Sequence, residues 1–361
     1  MSATRAGWVV AAVLGAAVVV TLIVVFALRP NGSAGGADAA PNAGGSTSTP
    51  APAPAPGAPG APSAECSGAT ETVSTSSQLQ TALDDATPGA VIMLSPGQYP
   101  GNFTATTSGT AEAPIRLCGG SDSVLDGGRI DDGYVLHLDA VSNWEVSGFA
   151  IRNGQKGLMA DGTTDTLIQG LTVSNIGDEA IHLRGFSSDN TVSGNTISDT
   201  GQRKPQFGEG VYIGTAESNW CDITDCDPDA SDRNIISDNT FRATTAENID
   251  IKEGTTGGEV SRNTFDGSAL VEDDGDSWVD VKGNDWVIEN NIGTDSPQDG
   301  FQVHEIVDGW GTRNVFRANV AQVDGPGFGY SITPERENVV ECSNSASGAG
   351  EGLSNMDCTP G

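Results

Sequence analysis

A triplet with apolar first and third positions recurs along the chain: Leu136-His137-Leu138, Leu158-Met159-Ala160, Ile181-His182-Leu183, Val211-Tyr212-Ile213, Ile249-Asp250-Ile251, Val279-Asp280-Val281 and Phe301-Gln302-Val303. Successive triplets begin 22, 23, 30, 38, 30 and 22 residues apart. Alternation over three residues is the period of a short strand with one face inward. A second pattern follows it, apolar-x-x-Asn, at Val192 to Asn195, Ile236 to Asn239, Val260 to Asn263, Ile288 to Asn291 and Phe316 to Asn319. Each Asn closes a short strand. Short strands repeating at a minimum spacing near 22 residues, with Asn and Gly turns between, predict the coils of a parallel β-helix. Equivalent positions then stack about 4.8 Å apart, so the apolar positions form inward columns and the asparagine amides bond one another. A β-sandwich would place hairpin turns here instead of one residue type at a fixed offset. The longest insertion, about Gln202 to Asp232, carries Cys221 and Cys226 and projects over one face.

Two further patterns bound this solenoid. Thr75 to Ala86 has Leu79, Ala82, Leu83 and Ala86 at helical spacing, then Pro88-Gly89, which predicts an amphipathic helix sealing the first coil. From Gly7 to Leu28 runs an uncharged, mostly apolar stretch flanked by Arg5 and Arg29. It is long enough to cross a hydrocarbon core of about 30 Å, longer than the apolar part of a cleaved signal. Residues 30–64 are Pro, Ala, Gly and Ser with one charge, a composition that cannot bury a core. The expected organisation is therefore a membrane anchor or signal segment over 1–29, a disordered linker over 30–64 and an all-β solenoid over 65–361. A single-pass protein with its C-terminal domain outside the cell is expected, with secretion after signal cleavage as the alternative. The solenoid is expected to be a monomer.

Composition sharpens this picture in two places. All six cysteines fall in the solenoid, and an even count behind an export signal points to disulfides in an oxidising compartment. Chain proximity favours Cys221 with Cys226 and Cys342 with Cys358, leaving Cys66 for Cys118. The charge is −31, from 48 acidic and 17 basic residues, which excludes nucleic acid as a partner.

The stretch TALDDATPGAVIMLSPGQYPGNFTATTSGTAEAPIRLCGG, followed by VLDGG and the coils, resembles the opening of the pectate-lyase-like right-handed β-helix superfamily. It is most similar to the alginate lyase and chondroitinase B branch of polysaccharide lyases. The resemblance covers nearly all of 65–361 and specifies fold more than activity.

With the coils aligned, three outward columns can be read. One holds Arg184, Gly214, Lys252, Lys282 and His304; the next His182, Tyr212, Asp250, Asp280 and Gln302; the third Glu179, Glu209, Glu247, Ser277 and Asp299. Two of the domain's four lysines stack. The bland reading is a charge ladder on a solvated sheet, although exposed pairs contribute only about 0–1 kcal/mol each. In the resembling branch a Glu-x-Ile-x-x-Lys element supplies a calcium ligand and a lysine base, and AENIDIKEG places Glu247 five residues before Lys252. The resemblance thus implies β-elimination, or C5 epimerisation, of a uronic-acid polymer. Calcium would be held by Glu209, Glu247 and Asp299, and Lys252 would serve as base. Lys282 or His304 would assist, and Arg184, His182, Tyr212 and Gln302 would bind sugar. The branch's second acid is Thr245 here, and neighbouring carboxylates raise a lysine pKa, against the needs of a base. A rival reading makes Asp250 and Asp280 a glycosidase pair. A third is a non-catalytic glycan- or partner-binding surface with Trp278, Trp286, Trp310 and Tyr212 as stacking platforms. The sequence leaves enzyme and binding protein both open.

Overall fold

The computed structural model describes residues 66–271 and 275–361. The expected anchor and linker lie outside them, and no helix among the described residues is long and apolar enough to cross a membrane.

The described residues wind into a parallel β-helix whose coils contribute in turn to three sheets of 11, 10 and 10 strands. All named strand pairings are parallel, each strand bonded to its equivalents one coil before and after. The register is the one the triplets set: Ile181 opposite Val211, Val211 opposite Ile249, Ile249 opposite Val279, and Val279 opposite Phe301. The inward columns Leu136, Leu158, Ile181, Val211, Ile249, Val279, Phe301 and Leu138, Ala160, Leu183, Ile213, Ile251, Val281, Val303 are fully buried. Each methyl-bearing side chain lies on its counterparts above and below, so the core is one continuous apolar column.

The asparagine column forms as its spacing implies. Asn195, Asn239, Asn263, Asn291 and Asn319 are linked Nδ2 to Oδ1 at 2.9–3.0 Å, and the column continues to Asn344. Every amide also donates to a backbone carbonyl of the preceding coil, as Asn263 does to Ile236. These buried turns are therefore fully paired, the condition for placing amides in a dry interior.

The first end is closed by a helix, as expected. Helix α1 (Ser76–Asp84) begins at Thr75, whose hydroxyl accepts from the N–H of Gln78, and it buries Leu79, Ala82 and Leu83 over the first coils. At the other end the tail continues the winding: Gly352–Ser354 pairs with Phe328–Thr333, and Thr359 bridges Glu341. Disulfides join Cys66–Cys118, Cys221–Cys226 and Cys342–Cys358, the pairing chain proximity favours.

The stacking-platform expectation fails for two tryptophans. Trp278 and Trp286 are fully buried, and a Cβ at Gly293 or Gly258 would stand 2.2 Å from their rings. They are core.

Candidate active site

Seven strands of one sheet carry the triplets, the last five of them the predicted columns: Tyr134–Asp139, Lys156–Asp161, Ile181–Arg184, Val211–Ile213, Ile249–Ile251, Val279–Val281 and Phe301–His304. Their register places His182, Tyr212, Asp250, Asp280 and Gln302 in one outward line. A cleft of about 650 Å³ opens over its middle, above Tyr212. Both walls come from the long stretch 202–232: one is its later part, through Thr215, Ser218 and Asp222, and the other its 202–208 segment, through Gln206 and Phe207.

The insertion is fastened at its base. Both carboxylate oxygens of the fully buried Asp229 are used, accepting from the N–H groups of Gly185 and Phe186 and from the hydroxyls of Thr215 and Ser231 at 2.7–2.8 Å. Glu253 accepts from the N–H of Glu217 at 2.6 Å, and Trp220 donates to the Thr215 carbonyl. The wall is a preformed part of the fold.

The floor divides into two halves around Gly214. On the side of the later coils, Lys252 Nζ lies 2.5 Å from Asp250, and Lys282 bridges Asp250 at 2.7 Å and Asp280 at 2.6 Å. His304 Nδ1 lies 2.9 Å from Asp280. Burial opposes charge on Lys252, but Asp250, with Glu209 and Glu247, outweighs it and holds the ammonium well above its ordinary value. Lys282 is raised against its burial by Asp250 and Asp280. Asp280 is lowered against its own burial by Lys282 and His304, and the bond to Asp280 raises His304.

Toward the earlier coils stand His182, Lys156 and Glu179. Lys156 Nζ lies 2.5 Å from Glu179 and 3.5 Å from His182 Nδ1. The opposite ring nitrogen, Nε2, is 3.0 Å from the Gly214 carbonyl. A carbonyl only accepts, so Nε2 carries the proton and Nδ1 keeps its lone pair. Burial, opposed by Glu179, which lies 3.5 Å from Nδ1, and aided by Lys156, lowers His182 below its ordinary value. The imidazole is neutral near pH 7.

Tyr212 lies between the halves. Its ring centroid is 4.4 Å from that of His182 and 4.8 Å from Lys252 Nζ. Burial, then Asp250 and Glu209, raises the phenol well above its usual value. Next to it the basic column is interrupted by Gly214, where a Cβ would stand 2.7 Å from Thr255. The gap is enforced by packing and leaves space above the strand beside Tyr212.

Two of the three expected metal ligands come together and the third does not. Oxygens of Glu209, Glu247 and Asp250 come within 4.8 Å of one another. Asp299 stands apart, accepting from Gln302 Nε2 and the N–H of Phe328. Burial, reinforced by Asp250, pushes Glu247 up to about 8; burial and then Glu179 push Glu209 well up too. Glu209 Oε2 meets no partner.

Sequence reasoning missed the coils before Arg184. Arg184 Nε and His137 Nε2 hold Asp161 at 2.6 and 2.8 Å, and this overcomes burial to lower Asp161 to about 2. The triplets at Leu136 and Leu158 locate these residues, since Asp161 is opposite Arg184 in register. With this group, all three histidines of the chain lie on one sheet face, each beside a carboxylate that also holds a lysine or arginine.

Comparison with known proteins now places the chain. A family model described as the right handed beta helix region matches residues 106–229 and 134–285. No curated sequence matches it. Among solved structures, the alginate lyase from Paenibacillus sp. str. FPU-7 is 35% identical, with TM-score 0.75, covering 81% of this chain and 100% of that one. Pectate lyase Pel9A, at 14% identity and TM-score 0.56, covers 77% of this chain and 72% of that one and shares the fold. Overlap with the whole of the Paenibacillus protein at this identity, on the same parallel coils, means that the chain belongs to the pectate-lyase-like family of right-handed β-helix proteins.

Proposed function

We propose that this chain is a polysaccharide lyase that cleaves a uronic-acid polymer by β-elimination at Tyr212. One observation carries the reading: a phenol with no hydrogen-bond partner among the described residues stands between a neutral imidazole and a lysine ammonium, beside the gap at Gly214. The alginate lyase relative supports the substrate class.

A sugar carboxylate seated over Gly214 lies against Lys252. Neutralising it makes the neighbouring C5 proton more acidic. His182 Nδ1 accepts that proton, the C4–O bond breaks as the C4–C5 double bond forms, and Tyr212 gives its proton to the departing oxygen. The phenolate left behind is stabilised by the Lys252 ammonium and regains its proton from His182. Lys252 therefore acts as a cation rather than as the base of the family pattern, because an ammonium held above its ordinary value has no lone pair to offer. Asp250, Asp280, Lys282 and His304 fix that cation. A glycosidase pair at Asp250 and Asp280 is disfavoured, since Lys282 bridges the two and holds Asp280 ionised.

Calcium does not fit the donor set. A hard cation takes about six to eight oxygens, whereas both Asp250 oxygens already receive ammoniums and Asp299 is engaged elsewhere. The Thr245 hydroxyl donates to the Pro205 carbonyl. The reading keeps the expected site of action outside the cell, where three disulfides persist, with the tether over 1–29 as part of the proposal.

The test is incubation of the full chain with polymannuronate, polyguluronate, pectate and chondroitin, following ultraviolet absorbance of the unsaturated product. A rise on at least one polymer is expected, reduced at least about 100-fold in Tyr212→Phe. A folded protein that yields no unsaturated product on any of them removes the lyase reading and leaves a glycan-binding surface.

A further inference from the structure

Nearly every cation described in this acidic chain is paired. Among the described residues, the arginines and lysines without an ion pair are Arg242, on a distant sheet, and Lys204. Lys204 stands on the 202–208 lip of the cleft, its Nζ 5.1 Å from the centroid of Phe207. Phe207 is 41% exposed and lines the cleft. An exposed phenyl ring beside an unpaired ammonium, on the rim of a polar cleft, has no role in packing the coils.

The lip that presents this pair is built to be rigid. Arg203 is bonded to Asp178, and the N–H groups of Gln202 and Arg203 bond the carbonyls of Ile176 and Gly177. Pro205–Phe207 forms one turn of 3-10 helix closed by the Lys204 and Pro205 carbonyls. The Thr245 hydroxyl donates to the Pro205 carbonyl at 2.8 Å. A Cβ on Gly201 or Gly208 would stand 1.8 or 2.0 Å from that hydroxyl oxygen, so both glycines are required for the lip to close around Thr245. Thr245 is thus a positioning residue for the lip.

We propose that Phe207 and Lys204 form a subsite for a second uronate residue of the polymer, the ring face covering the apolar face of the sugar and the ammonium pairing with its carboxylate. This rests on the lyase reading for the polymer class. It adds a charged contact outside the reacting sugar, made by a cation with no carboxylate partner among the described residues. Phe207 lines the same cleft as Tyr212 and Lys252, so a polymer seated over Tyr212 passes the lip.

The experiment measures binding and turnover separately on the full chain. Affinity electrophoresis in gels containing alginate, or alginate with its carboxylates esterified, is run on Tyr212→Phe protein alone and combined with Phe207→Ala, Phe207→Trp or Lys204→Gln. Phe207→Ala is expected to weaken binding to both polymers by about tenfold, the scale of one aromatic contact, and Phe207→Trp to restore it. Lys204→Gln is expected to weaken binding to alginate about threefold at low salt, to leave the ester unaffected, and to show no difference from its parent at high salt. In the Tyr212-containing enzyme both changes should raise KM and leave kcat within about twofold. Unchanged binding in Phe207→Ala and Lys204→Gln overturns the subsite even if elimination is observed. Failure of the Tyr212→Phe protein to bind alginate overturns it as well. Binding that depends on both residues without any elimination keeps the subsite and removes the lyase reading.

Discussion

The ammonium of Lys252 lies 2.5 Å from the carboxylate of Asp250, two residues earlier on the same strand, and that carboxylate also takes Lys282 from the next coil at 2.7 Å. One buried acid thus matches two ammoniums. Removing it leaves Lys252 without a carboxylate partner in a largely buried site and Lys282 with Asp280 alone. Asp250→Asn is expected to destabilise the fold by about 3–5 kcal/mol, the scale for an uncompensated buried charge. Lys252→Met leaves Lys282 to pair with Asp250 and should cost clearly less. Urea unfolding of both variants checks the order, and equal losses would show that Asp250 is not the hub.

His182 sets the acid limit of catalysis. Its Nδ1 must be unprotonated to take the C5 proton, and burial with Lys156 moves its pKa below the ordinary value. Activity should therefore fall with decreasing pH only below about 6.5. Tyr212 and Lys252 are both raised, so they keep their protons through neutrality and the alkaline limb lies beyond the ordinary tyrosine range. A kcat/KM profile on the preferred uronan checks both limbs. His182→Ala should lose at least about 100-fold, and a falling limb centred above pH 7 on the acid side would remove His182 as the base.

Much of this was legible because a solenoid writes its tertiary register into local triplets. Ile249-Asp250-Ile251 and Val279-Asp280-Val281 announce that Asp250 and Asp280 stack, and Asn239 to Asn263 announces an amide column. What triplets do not carry is the direction in which a long side chain leans. Arg184 sits in the basic column with Lys252, yet it reaches back to Asp161 and Tyr134 on earlier coils. Asp299 sits in the acidic column with Glu247, yet it turns to Gln302 and the Phe328 N–H. Contacts across insertions were equally hidden: Asp229 meets Gly185 from 44 residues away, and Thr245 meets the lip across 40. Nothing local marks either residue. A column position alone likewise does not say that both Asp250 oxygens are taken by ammoniums.

The asparagine column makes a prediction about the fold alone. Asn263 accepts from the backbone N–H and the side-chain amide of Asn239, and it donates to Ile236 and Asn291. Asn263→Ala therefore takes the partner from the buried N–H of Asn239 and removes the side-chain bond to Ile236, while Asn291 Oδ1 keeps the backbone N–H of residue 263. The cost is about 1–3 kcal/mol for each group left unpaired that water cannot reach. A drop in stability larger than that of Asn344→Ala, at the end of the column, is expected in denaturant titration. Equal effects would mean that water replaces the amide at both places.

Glu247 couples stability to pH in a direction opposite to most carboxylates. Burial, then Asp250, raises it from 4.5 to about 8 in the folded chain, and Glu209 shifts the same way. Between those values the folded state binds the proton that the unfolded state releases, so stability is full below about pH 4.5 and declines as pH rises to about 8. At about 1.4 kcal/mol per unit the loss is at most a few kcal/mol, because the acids share their environment. Glu247→Gln should flatten this decline and raise the melting temperature at pH 8 relative to the parent, with little change at pH 5. Calcium addresses the same charge, since one divalent cation can replace two protons on Glu209 and Glu247. Given the poor fit of the donor set, millimolar calcium or a chelator is expected to leave the pH 8 melting temperature of the parent unchanged. A calcium-induced rise at pH 8 that is absent in Glu247→Gln would show that the cluster takes a metal after all and would return a cation to the mechanism.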